Sequence, residues 1–317
     1  MQQKTITIIG PTASGKSNLA ITIAQKFTGE IISADSRQIY RHLDIGTGKE
    51  PGVLTTSINR GPHTKKAYIC DGIPHYMIDI IHPTTEYNVA KFVKKARKIK
   101  DDIASRNMLP IICGGTMFWA QALLEKTDFP PVLPDKKLRK KLSTYSTEKL
   151  LAILKKYDPL YAQKVDAQNP VRIIRAIEIA KAYGHVPQIT KKLIDPNKNL
   201  IMAIIHPKVV LHNRIEKRMD TWFDSGILDE IYKAHFTYKM PWTKLENFGL
   251  EYKWCTQYVR GFITYNTMRE NTIRDLKHYA KRQNTWIRRW KKHGTTIHDV
   301  TTHKDALQKV HHFLQKD

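Results

Sequence analysis

Residues 5–27 read TITIIGPTASGKSNLAITIAQKF, and three textures follow one another in them. TITIIG is apolar and β-rich, GPTASGKS is a small-residue turn, and KSNLAITIAQKF places Leu19, Ile21, Ile23, Ala24 and Phe27 at helical spacing. The stretch therefore predicts strand, glycine-rich turn, helix. Gly10, Gly15, Lys16 and Ser17 fit the G-x-x-x-x-G-K-[ST] pattern, and they fall in the strand-to-helix context that pattern requires. The physics suits a phosphate. Glycines permit a tight turn, backbone N–H groups and a helix N-terminus point at the anion, Lys16 adds a mobile charge, and the Ser17 hydroxyl can ligate Mg²⁺. Whether the anion is ATP, another nucleotide or a bare diphosphate is left open by the loop itself.

Working outward, EIISAD (30–35), HYMIDII (75–81) and LPIICGG (109–115) are further apolar runs, the last preceded by a basic amphipathic segment at 88–107. Strands alternating with helical patterns predict a parallel α/β sheet. After residue 124 the texture changes to charged helical patterns without strand signals. The clearest of these starts at Asn169-Pro170, a cap followed by a first-turn proline, and ends at Gly184. LIMAIIHP (200–207) is a strand again. The fold expected is a P-loop NTPase-like parallel sheet core, residues 1–125 and 198–317, with a helical insertion domain at 126–197. Helices about 209–225, 227–239 and 267–292, a small strand TTIHDV and a terminal helix complete a helical C-terminal region.

A chain of 317 residues with 41% apolar composition can bury a substantial core. Its net charge of +24, from 53 Lys and Arg against 29 Asp and Glu, suits a polyanionic partner. The excess is concentrated: residues 136–198 hold 15 basic against 5 acidic side chains, and residues 269–293 hold 9 against 2. No apolar run reaches 18 residues and an apolar strand begins by Ile6, so neither a membrane span nor a leader peptide is expected, and a cytoplasmic location is. Cys70, Cys113 and Cys255 are scattered, without the spacing of a disulfide framework or a zinc site.

Asp35, Ser36, Arg37 and Gln38 follow the second apolar run, at the strand edge where open α/β sheets bind ligands. Two readings stay open for Asp35: a carboxylate that takes a proton from a nucleophile aimed at a phosphate ester, or a cap in a polar loop. Arg37 and Gln38 offer donors to a base or phosphate. Asp79 sits inside an apolar run and reads as a structural acid.

GPTASGKS, DSRQIYRHLDIGTGK, GIPHYMID, ICGGT, NPVRIIRAIE and HYAKRQNTW, spread over positions 10–286, together resemble the tRNA dimethylallyltransferase (tRNA isopentenyltransferase) family in order and spacing. The resemblance implies transfer of a dimethylallyl group from dimethylallyl diphosphate to N6 of the adenosine immediately 3′ of the anticodon. It places Gly10, Pro11, Thr12, Ala13, Ser14, Gly15, Lys16 and Ser17 around the diphosphate, with Mg²⁺ at Ser17. It implies Asp35, Thr116, Lys16 and Arg214 as reacting residues; Arg214 and Arg218, four apart on one helix, match arginines the family directs at the diphosphate. For tRNA and its anticodon stem-loop it implies Asp35, Ser36, Arg37, Gln38, Thr116, Arg139, Val171, Arg172, Ile173, Ile174, Arg175, Lys281, Arg282 and Gln283, in a monomer. Tyr279 and Trp286, seven apart on one helical face, read as core packing. Three positions depart from the family: Val171 stands where glutamine is usual, Met117 where a small residue is, and FGLEYKW (248–254) where an IGYKE-like segment is. Two other classes share the core pattern, a P-loop small-molecule kinase and a nucleic-acid-binding P-loop NTPase.

Overall fold

The computed structural model describes residues 4–56, 61–189 and 192–316. In chain order the first half-core holds β1 (Thr5–Ile9), α1 (Lys16–Lys26), β2 (Gly29–Ser33), β3 (Val53–Thr55), β4 (Ala67–Cys70), β5 (Ile73–Tyr76), α2 (Val89–Ser105), β6 (Leu109–Cys113) and α3 (Met117–Leu124). Four helices follow: α4 (Lys136–Leu142), α5 (Thr147–Tyr157), α6 (Pro159–Lys164) and α7 (Pro170–Tyr183). The chain then returns through β7 (Asn199–Ile204), α8 (Lys208–Asp224), α9 (Ile227–Phe236), α10 (Trp242–Phe248), α11 (Leu250–Val259), α12 (Tyr265–Lys292), β8 (His298–Val300) and α13 (His303–Gln315). Two compact units result, residues 1–125 with 193–317, and residues 126–192.

The sheet of the first unit has the order β3-β4-β5-β2-β6-β1-β7-β8. β1, β2 and β6 are buried on every residue, as continuous apolar runs in a parallel sheet covered on both faces require. β5, β2, β6, β1, β7 and β8 pair in parallel, as expected for the core; β3 pairs β4 and β4 pairs β5 antiparallel, which adds an antiparallel edge. β3 and β4 are three and four residues long. Pro51-Gly52 immediately precedes β3 and Gly61-Pro62 lies between the two, so no alternating pattern is long enough to register. β5 stops at Tyr76, short of the run expected to 81, because Met77 and Asp79 take left-handed backbone at φ 67 and 53. Between 240 and 264, where no helix was assigned, α10 and α11 are separated by Gly249 at φ 71.

The α1 face of the sheet packs Ile6, Ile8, Ile31, Ile111 and Met202 against Leu19, Ala20 and Ile23 of α1 and Phe313 of α13. Each fully buried isoleucine contributes about 2 kcal/mol over exposure, against about 0–1 for a surface ion pair, so this layer sets where the strand ends lie. The second unit has its own core of Leu150, Leu154, Ile173, Ala176, Ile177 and Ala180. Its α7 is capped by Asn169, whose side chain accepts from Arg172 N, carries Pro170 in the first turn and ends at Gly184 with φ 79. Among the described residues no helix is long and apolar enough to cross a membrane. The three cysteines are unpaired and buried.

Candidate active site

Residues 10–15 leave the end of β1 as a tight loop and hand over to α1 with Gly15 at φ 91 as N-cap. Gly10 is needed on steric grounds, since a Cβ there would lie 2.8 Å from Ser14 Oγ and 3.1 Å from the Ile204 carbonyl oxygen. β6 lies between β1 and β2, with Ile8 and Ser33 both in register with Cys113, so Asp35 reaches the loop across one intervening strand. Gly114 and Gly115 make that crossing possible. A Cβ on Gly114 would come within 2.3 Å of the Ala34 carbonyl oxygen, and one on Gly115 within 2.9 Å of Gln283 Nε2 and 3.6 Å of Asp35 Oδ2.

The result is a cleft of about 920 Å³, lined by Thr12, Ala13, Gly15, Lys16 and Ser17 on one side and by Asp35, Gln38, Gly114 and Gly115 opposite. Thr47, Gly48, Glu50, Arg218, Tyr279 and Gln283 complete the wall. Lys16 Nζ donates to the Pro11 carbonyl at 2.7 Å. Burial lowers its pKa to about 8, opposed by the negative charge of Asp35 and reinforced by the positive charge of Arg218. A cation held this way gains most when an anion arrives. Burial pushes the Cys113 thiol up to about 12 and, with the charge of Asp35, the Tyr279 phenol up to about 12, so both are neutral at physiological pH. Among the described residues no group of three His, Cys, Asp or Glu side chains is arranged to hold a metal. Ser17, Asp35 and Glu50 nonetheless place hydroxyl and carboxylate oxygens on one cleft, the donor chemistry that suits Mg²⁺ completed by phosphate oxygens.

Asp35 Oδ1 accepts the N–H of Arg37 at 2.9 Å, which fixes the carboxylate and leaves Oδ2 toward Gly115. Thr116 stands at the N-cap of α3 without capping it. Its hydroxyl accepts Ser36 N–H at 3.0 Å and donates to Ser36 Oγ at 3.2 Å, tying the strand-end turns together. Met117, the larger residue after it, is absorbed in the core at 4% exposure. Asp79 is structural: it pairs with Lys49.

Several expected residues stand elsewhere. Gln283 is buried in the cleft wall; its Oε1 accepts Thr12 N–H at 2.7 Å and its Nε2 donates to the Gly115 carbonyl at 2.8 Å, so α12 bolts the phosphate loop to the Gly114-Gly115 turn. Gln38 donates to the Thr47 and Gly48 carbonyls, and Arg37 donates to the Gly46 carbonyl and pairs with Glu251. Gln38 has no free donor, whereas Arg37 Nη1 is buried without a hydrogen-bond partner among the described residues. Arg218 lines the cleft, 3.4 Å from Thr12 Oγ1, whereas Arg214 reaches the phosphate loop at the Ser14 carbonyl, 3.4 Å away, and donates to His206 Nε2 at 2.8 Å. The four-residue spacing shared a helix face but not a height: one turn, about 5.4 Å, separates the two. Thr47, Glu50 and Tyr279 were not singled out as cleft residues by sequence, whereas Trp286 does pack, donating to Gln121 Oε1 at 2.9 Å. Lys281 and Arg282 are exposed on α12.

In the second unit Ile173 and Ile174 are core residues, at 0% and 8% exposure, and offer no side chain to a partner. Arg139 and Arg175 both donate to the buried carboxylate of Glu178, at 2.6–3.0 Å. Burial disfavours the charge of Glu178, but those hydrogen bonds and the Asp135 N–H prevail and hold its carboxyl below the usual range. Arg172, 62% exposed at its side chain, and Val171, 71% exposed, are what the α7 N-terminus turns outward.

Comparison with known proteins agrees with this architecture. The chain is 35% identical over 310 residues to a protein named tRNA dimethylallyltransferase 1 from Geotalea uraniireducens, covering 98% of this chain and 96% of that one. It is 38% identical over 285 residues to the tRNA dimethylallyltransferase of Leuconostoc citreum, with 90% of each covered. The solved structure of tRNA delta(2)-isopentenylpyrophosphate transferase from Staphylococcus epidermidis superposes with a TM-score of 0.66 at 30% identity over the whole of both chains. A eukaryotic dimethylallyltransferase solved acting on tRNA superposes with a TM-score of 0.69 at 25% identity, over 94% of this chain and 74% of that one. The family model described as IPP transferase matches residues 38–290, and the chain belongs to that family.

Proposed function

We propose that this protein transfers a dimethylallyl group from dimethylallyl diphosphate to N6 of the adenosine 3′ of the anticodon in tRNA, releasing diphosphate. The observation that carries the reading is the shared cleft: a phosphate loop and an oriented carboxylate, Asp35, face one space. The N6 amine is a poor nucleophile because its lone pair is delocalised into the ring, so it must be oriented and must lose its proton as the C–N bond forms. Asp35 Oδ2 is the proposed acceptor of that proton, with Thr116 beside it. As the allylic C–O bond breaks, negative charge grows on the diphosphate oxygens; Lys16, Arg218 and the N–H groups of residues 12–17 stabilise it in place. No phosphoryl group moves. Ser17, with Asp35 or Glu50, would hold Mg²⁺, which when bound neutralises charge on the leaving group. A base must leave its stack to bring N6 into such a cleft, so the adenosine enters flipped.

For tRNA we propose the exposed Arg172 together with Lys281 and Arg282, phosphate contacts that make binding salt-dependent. The enzyme is read as a cytoplasmic monomer. The deciding experiment incubates the protein with labelled dimethylallyl diphosphate and unmodified tRNA. Label in the RNA at that adenosine is expected; transfer to free AMP alone, or ATP turnover without transfer, overturns the reading.

A further inference from the structure

The segment FGLEYKW, residues 248–254, lies against the turn that carries Asp35. Glu251, at 0% exposure, forms an ion pair with Arg37. The Arg37 guanidinium also donates to the Gly46 carbonyl at 3.0 Å and lies 5.4 Å over the ring of Tyr252. Tyr252 in turn donates to Glu230 Oε1 at 2.7 Å, and the Glu230 carboxylate accepts the N–H groups of Asp44, Ile45 and Gly46 at 2.5, 2.7 and 3.1 Å. A Cβ on Gly46 would meet the Tyr252 ring at 2.7 Å, so the two surfaces are in tight contact.

These contacts form one line from α11 to the cleft. A carboxylate fully withdrawn from water is costly unless a cation faces it, so Glu251 fixes the Arg37 side chain strongly. Glu251 and the Gly46 carbonyl both hold Arg37 Nη2, and fixing the guanidinium there restrains the Arg37 backbone, whose N–H is the group that orients Asp35 Oδ1. We infer that Glu251 is a positioning residue for Asp35, acting through Arg37, and that the 248–254 segment sets the aim of the carboxylate rather than touching substrate. Glu230 supports the same wall by holding residues 44–46, from which Thr47, Gly48 and Glu50 continue into the cleft. The inference rests on Asp35 as the proton acceptor.

The test is single-turnover prenyl transfer with tRNA and dimethylallyl diphosphate both saturating. Glu251→Gln is expected to lose about tenfold to a hundredfold in rate, the scale of a small misplacement of a reacting group, while tRNA affinity stays within about twofold. The discriminating arm adds the same change to Asp35→Asn. If Glu251 acts through Asp35, the double variant transfers at the rate of Asp35→Asn alone; multiplied losses overturn the inference, as does a folded Glu251→Gln of normal rate or one weakened only in tRNA affinity. Should Glu251→Gln fail to fold, Arg37→Gln with Glu251→Gln removes both charges, leaves neither uncompensated, and is expected to show the same loss of rate. Wild-type protein without transfer would defeat the functional reading itself; transfer by wild type with Glu251→Gln intact defeats only this inference.

Discussion

Two regions of the molecule use the same device, a buried carboxylate facing arginine, for opposite ends. In the core unit, Glu251 holds Arg37 and through it the turn of Asp35. In the helical unit, Glu178 ties down Arg139 and Arg175, whose side chains stay 41% and 32% exposed. In the first case the pair aims a reacting group, and in the second it closes a helix contact. The difference teaches that an arginine in a basic segment is an RNA contact only after its internal partners have been counted. Arg172, three residues from Arg175 on the same helix, faces out at 62% side-chain exposure and pairs with the exposed Asp166 at 3.2 Å.

The largest effect expected on the core side is at Asp35. Asp35→Asn should cut single-turnover transfer by about a hundredfold or more while tRNA binding persists, the usual scale of general-base loss. A near-normal rate would remove Asp35 from the chemistry and return it to the loop-capping role its sequence position also allowed. A second effect concerns Lys16. Its pKa of about 8 means that it is charged below that pH and neutral above it. Diphosphate favours the charged form, so affinity should be fully present below pH 8 and fall as pH rises, approaching about tenfold per unit. Isothermal titration with inorganic diphosphate from pH 7 to 9.5 measures this, and Lys16→Arg, charged throughout, should lose that component of the dependence. The smallest effect belongs to the helical unit and bears most directly on the contrast. Arg172→Ala should reduce the slope of log affinity against log salt for tRNA by about 1. Arg139→Ala should leave that slope alone and lower the thermal stability of the protein by uncovering Glu178. An equal loss of slope from both would dissolve the distinction drawn between them.

The phosphate loop was legible because its geometry is local: two glycines, a lysine and a serine at fixed spacing between strand and helix leave one arrangement. The parallel centre of the sheet was legible for the same reason, each strand being an unbroken apolar run. What the sequence hid depended on distant partners. Nothing within the 281–284 stretch announces that Gln283 would turn inward to Thr12 and Gly115, 271 and 168 residues away. Arg214 and Arg218 were separable only once the height of α8 beside the loop was known. Glu50 lies one residue past the GTGK block, and Tyr279, which reads as core packing by its spacing, reaches the cleft from α12. The helices at 240–264 went unassigned because each is short and the break between them falls at a glycine.

The bond from Gln283 to the phosphate loop has one more implication. α12 is a single helix of 28 residues, about 40 Å of nearly incompressible rod. The buried glutamine that touches Thr12 and Gly115 follows directly on the exposed pair Lys281 and Arg282. On the proposed reading, RNA held by that pair would be indexed to the diphosphate with the slack of one side chain, and α12 would serve as a ruler between the two substrates. Inserting a single residue into it between 282 and 283 would rotate the grip by about 100° relative to the loop and leave each half intact but out of phase.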